Sequence, residues 1–141
     1  DGHYAAPSMA ATVVPNRNAM MLSIAYAAAI SDGADAVAMG VHAGDHFVYP
    51  DCRPIFIEQF AAMELVAADG FISPSFQLLT PWLGVDKTEI AHQAQLLNVP
   101  IVNTWACYKG EDIHCGTCGT CVERKEALHL AGVVDPTEYL V

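Results

Sequence analysis

The chain has 141 residues, enough for one domain or a large part of one, and 53% of them are hydrophobic against 16% charged. That balance excludes wholesale disorder, because the chain has enough apolar surface to bury a core. The formal net charge of −10 argues against a nucleic acid or an anionic membrane surface as the main partner.

The first part of the chain alternates between helical and strand-like patterns. Residues 1–14 are predicted to form a loop that ends in a short extended piece, and residues 17–31 a helix with Asn16 as N-cap and Gly33 as stop. This helix is apolar nearly all round, which predicts that it is buried. The apolar run at residues 35–41 has the length of a central parallel strand, so helix and strand form half of a βαβ unit.

Residues 42–53 are too polar and too rich in Gly and Pro to form a helix or a strand. They follow the predicted strand, and in open α/β sheets ligands bind beyond the carboxyl ends of the strands. Pro54 starts the next predicted helix, which Gly70 ends. The apolar face of this helix is predicted to consist of Phe56, Phe60, Met63 and Ala67.

The rest of the chain predicts shorter elements. A strand is expected at residues 76–80, and a helix follows Asp86, which forms a capping-box pattern with Glu89. The apolar face of that helix is predicted to consist of Ile90, Ala94 and Leu97. The remaining elements are an extended segment at residues 99–104, a helix at residues 121–130 with Gly132 as its stop, and a final helical turn at residues 135–138.

Four of the five cysteines follow the pattern C-x7-C-x2-C-x2-C; they are Cys107, Cys115, Cys118 and Cys121. Gly116 and Gly119 directly follow two of them and let the backbone turn tightly enough to aim several thiolates at one point. Four sulfurs suit a closed tetrahedral site for one structural Zn²⁺. The alternatives are an iron–sulfur cluster, disulfides, and a site in which His114 replaces one thiolate.

Three clusters outside the cysteines carry charge that a ligand could use. Arg17 and Asn18 stand at a helix start, where an anion is favoured; plain capping with a solvated Arg17 is the alternative. Residues 44–53 contain two carboxylates, a phenol and a guanidinium, which suit a heterocycle bearing amide-like donors and a carboxylate, or else pair with each other. Lys87 opposes the dipole of its predicted helix, which favours a phosphate contact over a solvated lysine.

The sequence also predicts where the protein acts. Its longest apolar run, residues 19–30, is too short to span a bilayer. The first residues lack the basic and apolar regions of a signal peptide, and clustered reduced cysteines indicate the cytoplasm. Because the chain opens on Asp1 rather than Met, we expect that an upstream segment is missing.

Four motifs occur in order along the chain: VPNRN, GDHFVYPDCR, DKTEI and CYKG…HCGTCGTCVERKEA. Together they resemble the 7-cyano-7-deazaguanine synthase family, from about His3 to Thr137. The resemblance implies an α/β, Rossmann-like fold of the PP-loop ATP pyrophosphatase type, with a parallel sheet flanked by helices and a C-terminal zinc-binding helical lobe. We therefore expect residues 1–104 to be the C-terminal part of the α/β domain, and residues 105–141 to be the zinc-binding loop and final helices.

The resemblance also implies a reaction. Members of this family convert 7-carboxy-7-deazaguanine, ammonia and ATP into the nitrile through an amide, in queuosine biosynthesis. ATP, with Mg²⁺, activates the carboxylate as an adenylate, ammonia displaces AMP, and a second activation drives the loss of water. A homo-oligomer with no nucleic-acid or membrane partner is also expected.

Matched position by position, the resemblance assigns residues to the zinc site, the nucleotide and the substrate. The zinc ligands are predicted to be Cys107, Cys115, Cys118 and Cys121. The nucleotide side is predicted to comprise Arg17, Asn18 and Lys87. The substrate side is predicted to comprise Asp45, Tyr49, Asp51 and Arg53. Lys87 and Asp45 are the predicted catalytic residues.

One motif of the family is absent from this sequence. The phosphate-binding loop SGGxDS does not occur, and no two glycines are adjacent. Backbone N–H groups of such a loop would cradle the pyrophosphate. Either the chain is the C-terminal part of a longer one, or a partner supplies the loop, or activity has been lost; we favour the first two. Activity is therefore expected to require an N-terminal half, in cis or as a separate chain.

Three other functions compete with this interpretation. A related enzyme could adenylate another small acid or the carboxyl group of a protein. A non-catalytic, zinc-stabilised binding module would explain the missing loop most simply. A zinc-ribbon protein that binds nucleic acid conflicts with the net charge of −10.

Overall fold

The computed structural model describes residues 7–109 and 112–141, which form two compact units. The unit that we call the sheet unit is Val13–Val85, and the cysteine unit is Asp86–Val141 with the segment that ends at Thr12. The expected domain boundary between residues 104 and 105 stays a prediction, because compactness in space does not test where an ancestral domain ends.

The sheet unit alternates helices and strands. Its elements are α1 (Arg17–Ser31), β1 (Ala36–Ala38), α2 (Pro54–Ala67) and β2 (Gln77–Leu79). The two strands pair in parallel with Val37 opposite Leu78, and α2 connects them along the chain. The α/β class and both strand positions predicted from the sequence are confirmed, although each strand has three residues.

An aromatic cluster forms the core of the sheet unit. Tyr26 of α1 is 2% exposed, and its ring lies 5.7 Å from Phe60 of α2 and 5.1 Å from Phe76 before β2. Leu22 and Val37 complete the buried group. The core therefore lies where α1 and α2 pack against the sheet.

The exposed side of α1 contradicts the prediction that this helix is buried. Leu22 and Tyr26 are buried, but Met20, Met21 and Ile24 are 59%, 56% and 65% exposed. A helix beside a sheet buries one side, and its other side needs a further layer to cover it. The described residues do not supply that layer.

The ends of α1 and α2 follow the predictions in part. Gly33 and Gly70 adopt positive φ after the two helices, and Pro54 is the first residue of α2, as predicted. Asn16 precedes α1 as predicted but has φ of 67° and makes no side-chain capping hydrogen bond. Its predicted N-cap position is therefore confirmed, but the capping carboxylate is that of Asp51, which accepts the N–H of Asn18.

The buried face of α2 is also rotated from the predicted one. Phe60 is buried as predicted, but its buried companions are Ile57 and Glu64. Met63 is 48% exposed and Ala67 is exposed as well. Since α2 is apolar on several sides, periodicity alone did not decide which side meets the sheet.

The cysteine unit packs two helices against each other: α3 (Lys87–Leu96) and α4 (Gly119–Leu130). Ala91 of α3 and Leu128 of α4 are buried together. Asp86 caps α3 as predicted, since its carboxylate accepts the N–H of Glu89 at 3.0 Å. Leu97 is 68% exposed, so its assignment to the apolar face of α3 is wrong.

Two predicted elements of the cysteine unit are absent from the described residues. Instead of an extended segment at residues 99–104, Ile101–Asn103 form a single 3₁₀ turn, stabilised by local backbone hydrogen bonds. No helical turn forms at residues 135–138, because the Asp135 carboxylate accepts the N–H of Thr137 and the hydroxyl of Tyr139. At residues 135–138, hydrogen bonds to the Asp135 side chain therefore form in place of the predicted helical turn.

Replacing Phe60 by Ala is expected to lower the free energy of unfolding by about 3–5 kcal/mol, since it leaves a cavity against Tyr26. Urea denaturation followed by circular dichroism measures this loss. The matched control is Phe71→Ala, because Phe71 is 85% exposed and its removal should change the stability by less than about 0.5 kcal/mol. Equal losses in the two variants would contradict the assignment of the core.

Candidate active-site cavity and metal centre

A cavity of about 390 Å³ opens at the carboxyl end of β1, where ligands bind in parallel α/β sheets. The start of α1, the end of β1 and the loop that follows β1 form its wall. The lining residues are Arg17, Asn18, Met21, Leu22, Ala25, Val37, Ala38, Met39, Gly40, Val41, Asp45 and Cys52. Mostly apolar walls with a few polar groups are typical of a small-molecule site.

Asn18 joins the start of α1 to the loop 33 residues further along the chain. Its backbone N–H donates to the Asp51 carboxylate at 2.9 Å, and its side-chain Nδ2 donates to the Asp51 carbonyl at 3.2 Å. Nδ2 also lies 3.2 Å from Sγ of Cys52. Asp51 thus caps α1, so one of the free N–H groups predicted to receive an anion already has a carboxylate partner.

The Cys52 thiol stays neutral in this environment. The residue is 5% exposed. Burial, followed by the negative charges of Asp45 and Asp51, raises the pKa of Cys52 to about 11. The thiol therefore adds no charge to a cavity wall that already carries a carboxylate.

Asp45 is held by His42, a residue that the sequence analysis did not assign to the site. His42 is buried, and Nδ1 of its ring accepts the N–H of Gly44 at 3.1 Å. Its Nε2 lies 3.3 Å from Oδ2 of Asp45. The signal in the sequence was the pattern His, Gly at i+2 and Asp at i+3, which forms one 3₁₀ turn directly after the strand.

The other predicted residues of this loop take different positions. Tyr49 packs against the apolar group that contains Cys52 and Ile57. Arg53 is exposed, and its Nε donates to the carbonyl of His46 at 2.8 Å. Among the residues that the structure describes, Tyr49 and Arg53 are not part of the cavity wall. The cavity unites Arg17, Asn18 and Asp45, and Asn18 connects it to Asp51.

Lys87 belongs to the cysteine unit, where it forms an ion pair with Glu123 of α4. The side chains are 37% and 13% exposed. This pair offsets the unfavourable charge at the start of α3 that the sequence analysis attributed to a phosphate site. The phosphate role of Lys87 stays a prediction, and Glu123 is the residue that the sequence analysis did not find.

The four clustered cysteines lie close together in the cysteine unit. Their sulfur atoms are all within 4.8 Å of one another, and each side chain is at most 9% exposed. All five cysteines of the chain are free thiols, so the disulfide alternative is wrong. Sulfurs on a tetrahedral zinc ion at 2.3 Å would be about 3.8 Å apart. The donor set therefore fits a single metal ion better than an iron–sulfur cluster, whose inorganic sulfides spread the ligands.

Backbone N–H groups point at the sulfur atoms of this cluster. Sγ of Cys107 accepts from Lys109 and Cys115 at 3.4 Å, and Sγ of Cys115 accepts from Cys118 at 3.2 Å. Burial opposes the charged form of Cys118, but the Thr120 hydroxyl and backbone N–H donors lower its pKa to about 5. Such donors stabilise the thiolates that a metal requires.

Gly116 permits the turn that brings these sulfurs together. It has φ of 77°, and a side chain there would overlap the carbonyl oxygen of Val141. Gly119 is instead the first residue of α4, so the predicted role of glycine in the turn is confirmed at Gly116 only. The His114 alternative is not supported: its Nε2 accepts the N–H of Ala106 at 3.2 Å, and its ring lies 4.1 Å from that of Trp105.

The fold and these sites define a small α/β protein with a ligand-sized cavity at a strand end and a four-cysteine centre that could hold a metal ion. The model of the family described as queuosine biosynthesis protein QueC matches residues 2–132. The chain belongs to this family.

Curated relatives named 7-cyano-7-deazaguanine synthase match 139 residues, or 99% of this chain. The identity is 58% with the protein of Rhizobium etli, 56% with that of Ruegeria pomeroyi and 55% with that of Brucella ovis. The chain spans 58%, 60% and 59% of the length of these relatives, respectively. In the part of the chain that the structure describes, every helix is too short or too polar to cross a membrane.

Replacing Cys121 by Ser is expected to reduce the metal content from one ion per chain towards zero, because one of four buried thiolate ligands is lost. Elemental analysis of freshly purified, reduced protein measures the metal. Cys52→Ser is the matched control, since Cys52 is also buried but lies outside the cluster. Metal loss in both variants, or in neither, would contradict the assigned site.

Proposed function

We propose that the chain forms part of an ATP-dependent ligase that converts 7-carboxy-7-deazaguanine and ammonia to 7-cyano-7-deazaguanine in the cytoplasm. The observation that carries this proposal is the cavity at the end of β1, which presents Arg17 and Asp45 together. The family of the chain and the name of its relatives support the choice of substrate.

In this proposal the sheet unit binds both the heterocycle and the nucleotide. The Asp45 carboxylate accepts hydrogen bonds from N–H groups of the heterocycle, and Arg17 binds phosphate or carboxylate oxygens with its planar guanidinium. Asn18 acts on the site through Asp51 and Cys52, which it holds by hydrogen bonds. Tyr49 and Arg53 complete the proposed substrate side, although neither lines the cavity in this structure.

The proposed chemistry consists of two activations. The substrate carboxylate attacks the α-phosphorus of ATP, bound with Mg²⁺, and pyrophosphate leaves. Ammonia attacks the acyl carbon and the bond to AMP breaks, which yields the amide. The amide oxygen then attacks the α-phosphorus of a second ATP and pyrophosphate leaves; the carbon–oxygen bond to AMP breaks and the nitrogen loses its two protons, which yields the nitrile. Lys87 neutralises phosphate charge in these steps, which requires it to share or leave its ion pair with Glu123.

The metal in this proposal is one structural Zn²⁺. Its ligands would be the four buried thiolates, which would leave no position for a substrate or a reactive water. When bound, the ion holds the loop before α4 against the start of that helix, and its binding free energy stabilises the fold.

The proposal also requires an N-terminal half with the phosphate loop, in the same or in a separate chain. The sequence contains no adjacent glycines with which to form that loop. The relatives are longer than this chain, and the exposed face of α1 at Met20, Met21 and Ile24 is the kind of surface that a further layer covers. The protein is also proposed to be a homo-oligomer, with no surface assigned to the contact between its copies.

The isolated chain is expected to release no pyrophosphate from ATP with 7-carboxy-7-deazaguanine and ammonia, because no backbone loop cradles the leaving group. Adding a polypeptide with the SGGxDS half should restore turnover. Pyrophosphate release and mass spectrometry of the nitrile measure this turnover. In the complete enzyme, Arg17→Ala should reduce kcat/KM at least about tenfold. Turnover by the isolated chain would refute the need for the second half. Turnover with a different carboxylic acid, and none with 7-carboxy-7-deazaguanine, would instead favour a related enzyme that adenylates that other acid.

Ile24→Glu is expected to weaken association with the loop-bearing half at least about tenfold, because it places a charge on the exposed apolar face of α1. Isothermal titration calorimetry measures the affinity between the two polypeptides. Leu130→Glu is the control, since Leu130 is 64% exposed on a helix of the other unit. Unchanged affinity in Ile24→Glu would mean that another surface receives the loop-bearing half.

A further inference from the structure

We propose that His42 is a positioning residue, which sets the orientation of the Asp45 carboxylate on the cavity wall. The inference rests on the proposed function, because it gives Asp45 the role of reading the heterocycle. His42 and Asp45 are the first and last members of the turn that follows β1. The turn is anchored at Ala43, whose N–H donates to the carbonyl of Val85 at 2.8 Å.

The hydrogen bond from Gly44 determines which ring nitrogen of His42 carries the proton. Nδ1 accepts the N–H of Gly44 at 3.1 Å, so Nδ1 has no proton of its own. In the neutral ring the proton is then on Nε2. Nε2 lies 3.3 Å from Oδ2 of Asp45, so its N–H bond dipole attracts that oxygen. One backbone donor therefore directs a side-chain donor towards the carboxylate.

Gly44 is required for this arrangement because the ring lies against its α-carbon. A Cβ at Gly44 would lie 2.9 Å from Cε1 and 3.0 Å from Nδ1 of His42. Both contacts are shorter than van der Waals distances, so a side chain there would displace the imidazole. The glycine thus serves the approach of a ring rather than an unusual backbone angle.

Burial makes the position of the carboxylate depend on the histidine. The His42 side chain is 7% exposed and cannot turn away to water, while the Asp45 side chain is 29% exposed and forms part of the cavity wall. At this exposure the Asp45 side chain can adopt several rotamers, and the contact with Nε2 of His42 favours one of them. Substrate donors then meet a pre-oriented acceptor, which lowers the entropic cost of binding.

The first test is direct and needs no activity. Long-range ¹H–¹⁵N NMR of the isolated chain should show a neutral His42 ring with the proton on Nε2. Asp45→Asn should shift the Nε2 resonance while leaving Nδ1 hydrogen-bonded to Gly44. A ring protonated on Nδ1 would overturn the inference, and so would an Nε2 chemical shift that is the same in the wild type and in Asp45→Asn. Either result holds whether or not the enzyme reaction is as proposed.

The second test uses the complete enzyme, with the loop-bearing half present. His42→Phe keeps a ring but removes both nitrogens, and it should raise KM for 7-carboxy-7-deazaguanine about tenfold with a smaller change in KM for ATP. His42→Asn offers an acceptor and donors on one side chain, and it should restore KM to within about threefold of the wild type. A His42→Phe enzyme with unchanged KM would refute the positioning role.

A glycine pair separates positioning from folding. Gly44→Ala leaves His42 chemically intact but displaces its ring, so it should raise KM as His42→Phe does. Gly84→Ala is the matched control, because a Cβ at Gly84 meets no atom within 4 Å. Equal KM values for the two Ala variants would contradict the inference. If the wild-type enzyme does not convert 7-carboxy-7-deazaguanine, the proposed function is wrong. The NMR result still tests whether His42 orients the Asp45 carboxylate.

Discussion

The hydrogen bonds between Asn18 and Asp51 are the constraint on which the sheet unit depends. They join the first turn of α1 to a loop 33 residues later, so the helix, the strand between them and the loop form one wall of the cavity. The same contacts satisfy a backbone N–H that the local residue Asn16 leaves without a cap. Asp51, which was predicted to contact the substrate, therefore also holds the start of α1 and the loop together.

The cysteine unit is organised by a different interaction. Four sulfurs lie within 4.8 Å of one another, and backbone N–H groups around them favour the thiolate form. The tight approach of Gly116 to the last residue, Val141, lets the chain close around this centre. A metal ion at the centre would require these thiols to lose their protons, so metal binding would be coupled to the folding of this unit.

Local patterns were reliable where one nearby partner decided the outcome. Pro54, Gly33 and the Asp86 cap took their predicted places because each effect acts within one turn of helix. They failed where another hydrogen bond competed: Asp51, 33 residues along the chain, replaced the cap expected of Asn16, and the Asp135 carboxylate accepted a hydrogen bond from its near neighbour Tyr139 instead of starting a helical turn. A competing hydrogen-bond partner, near or far along the chain, distinguished the failures from the successes.

The sequence by itself determined the family, the α/β class and the identity of the four clustered cysteines, because motif order and ligand spacing are properties of the chain alone. Only the tertiary structure decided that Glu123 neutralises Lys87, that Asn18 is bonded to Asp51, and that His42 faces Asp45. The first two contacts join residues more than thirty positions apart, which no local period encodes. The last depends on a ring packed against a glycine, and such a contact exists only once the turn has formed.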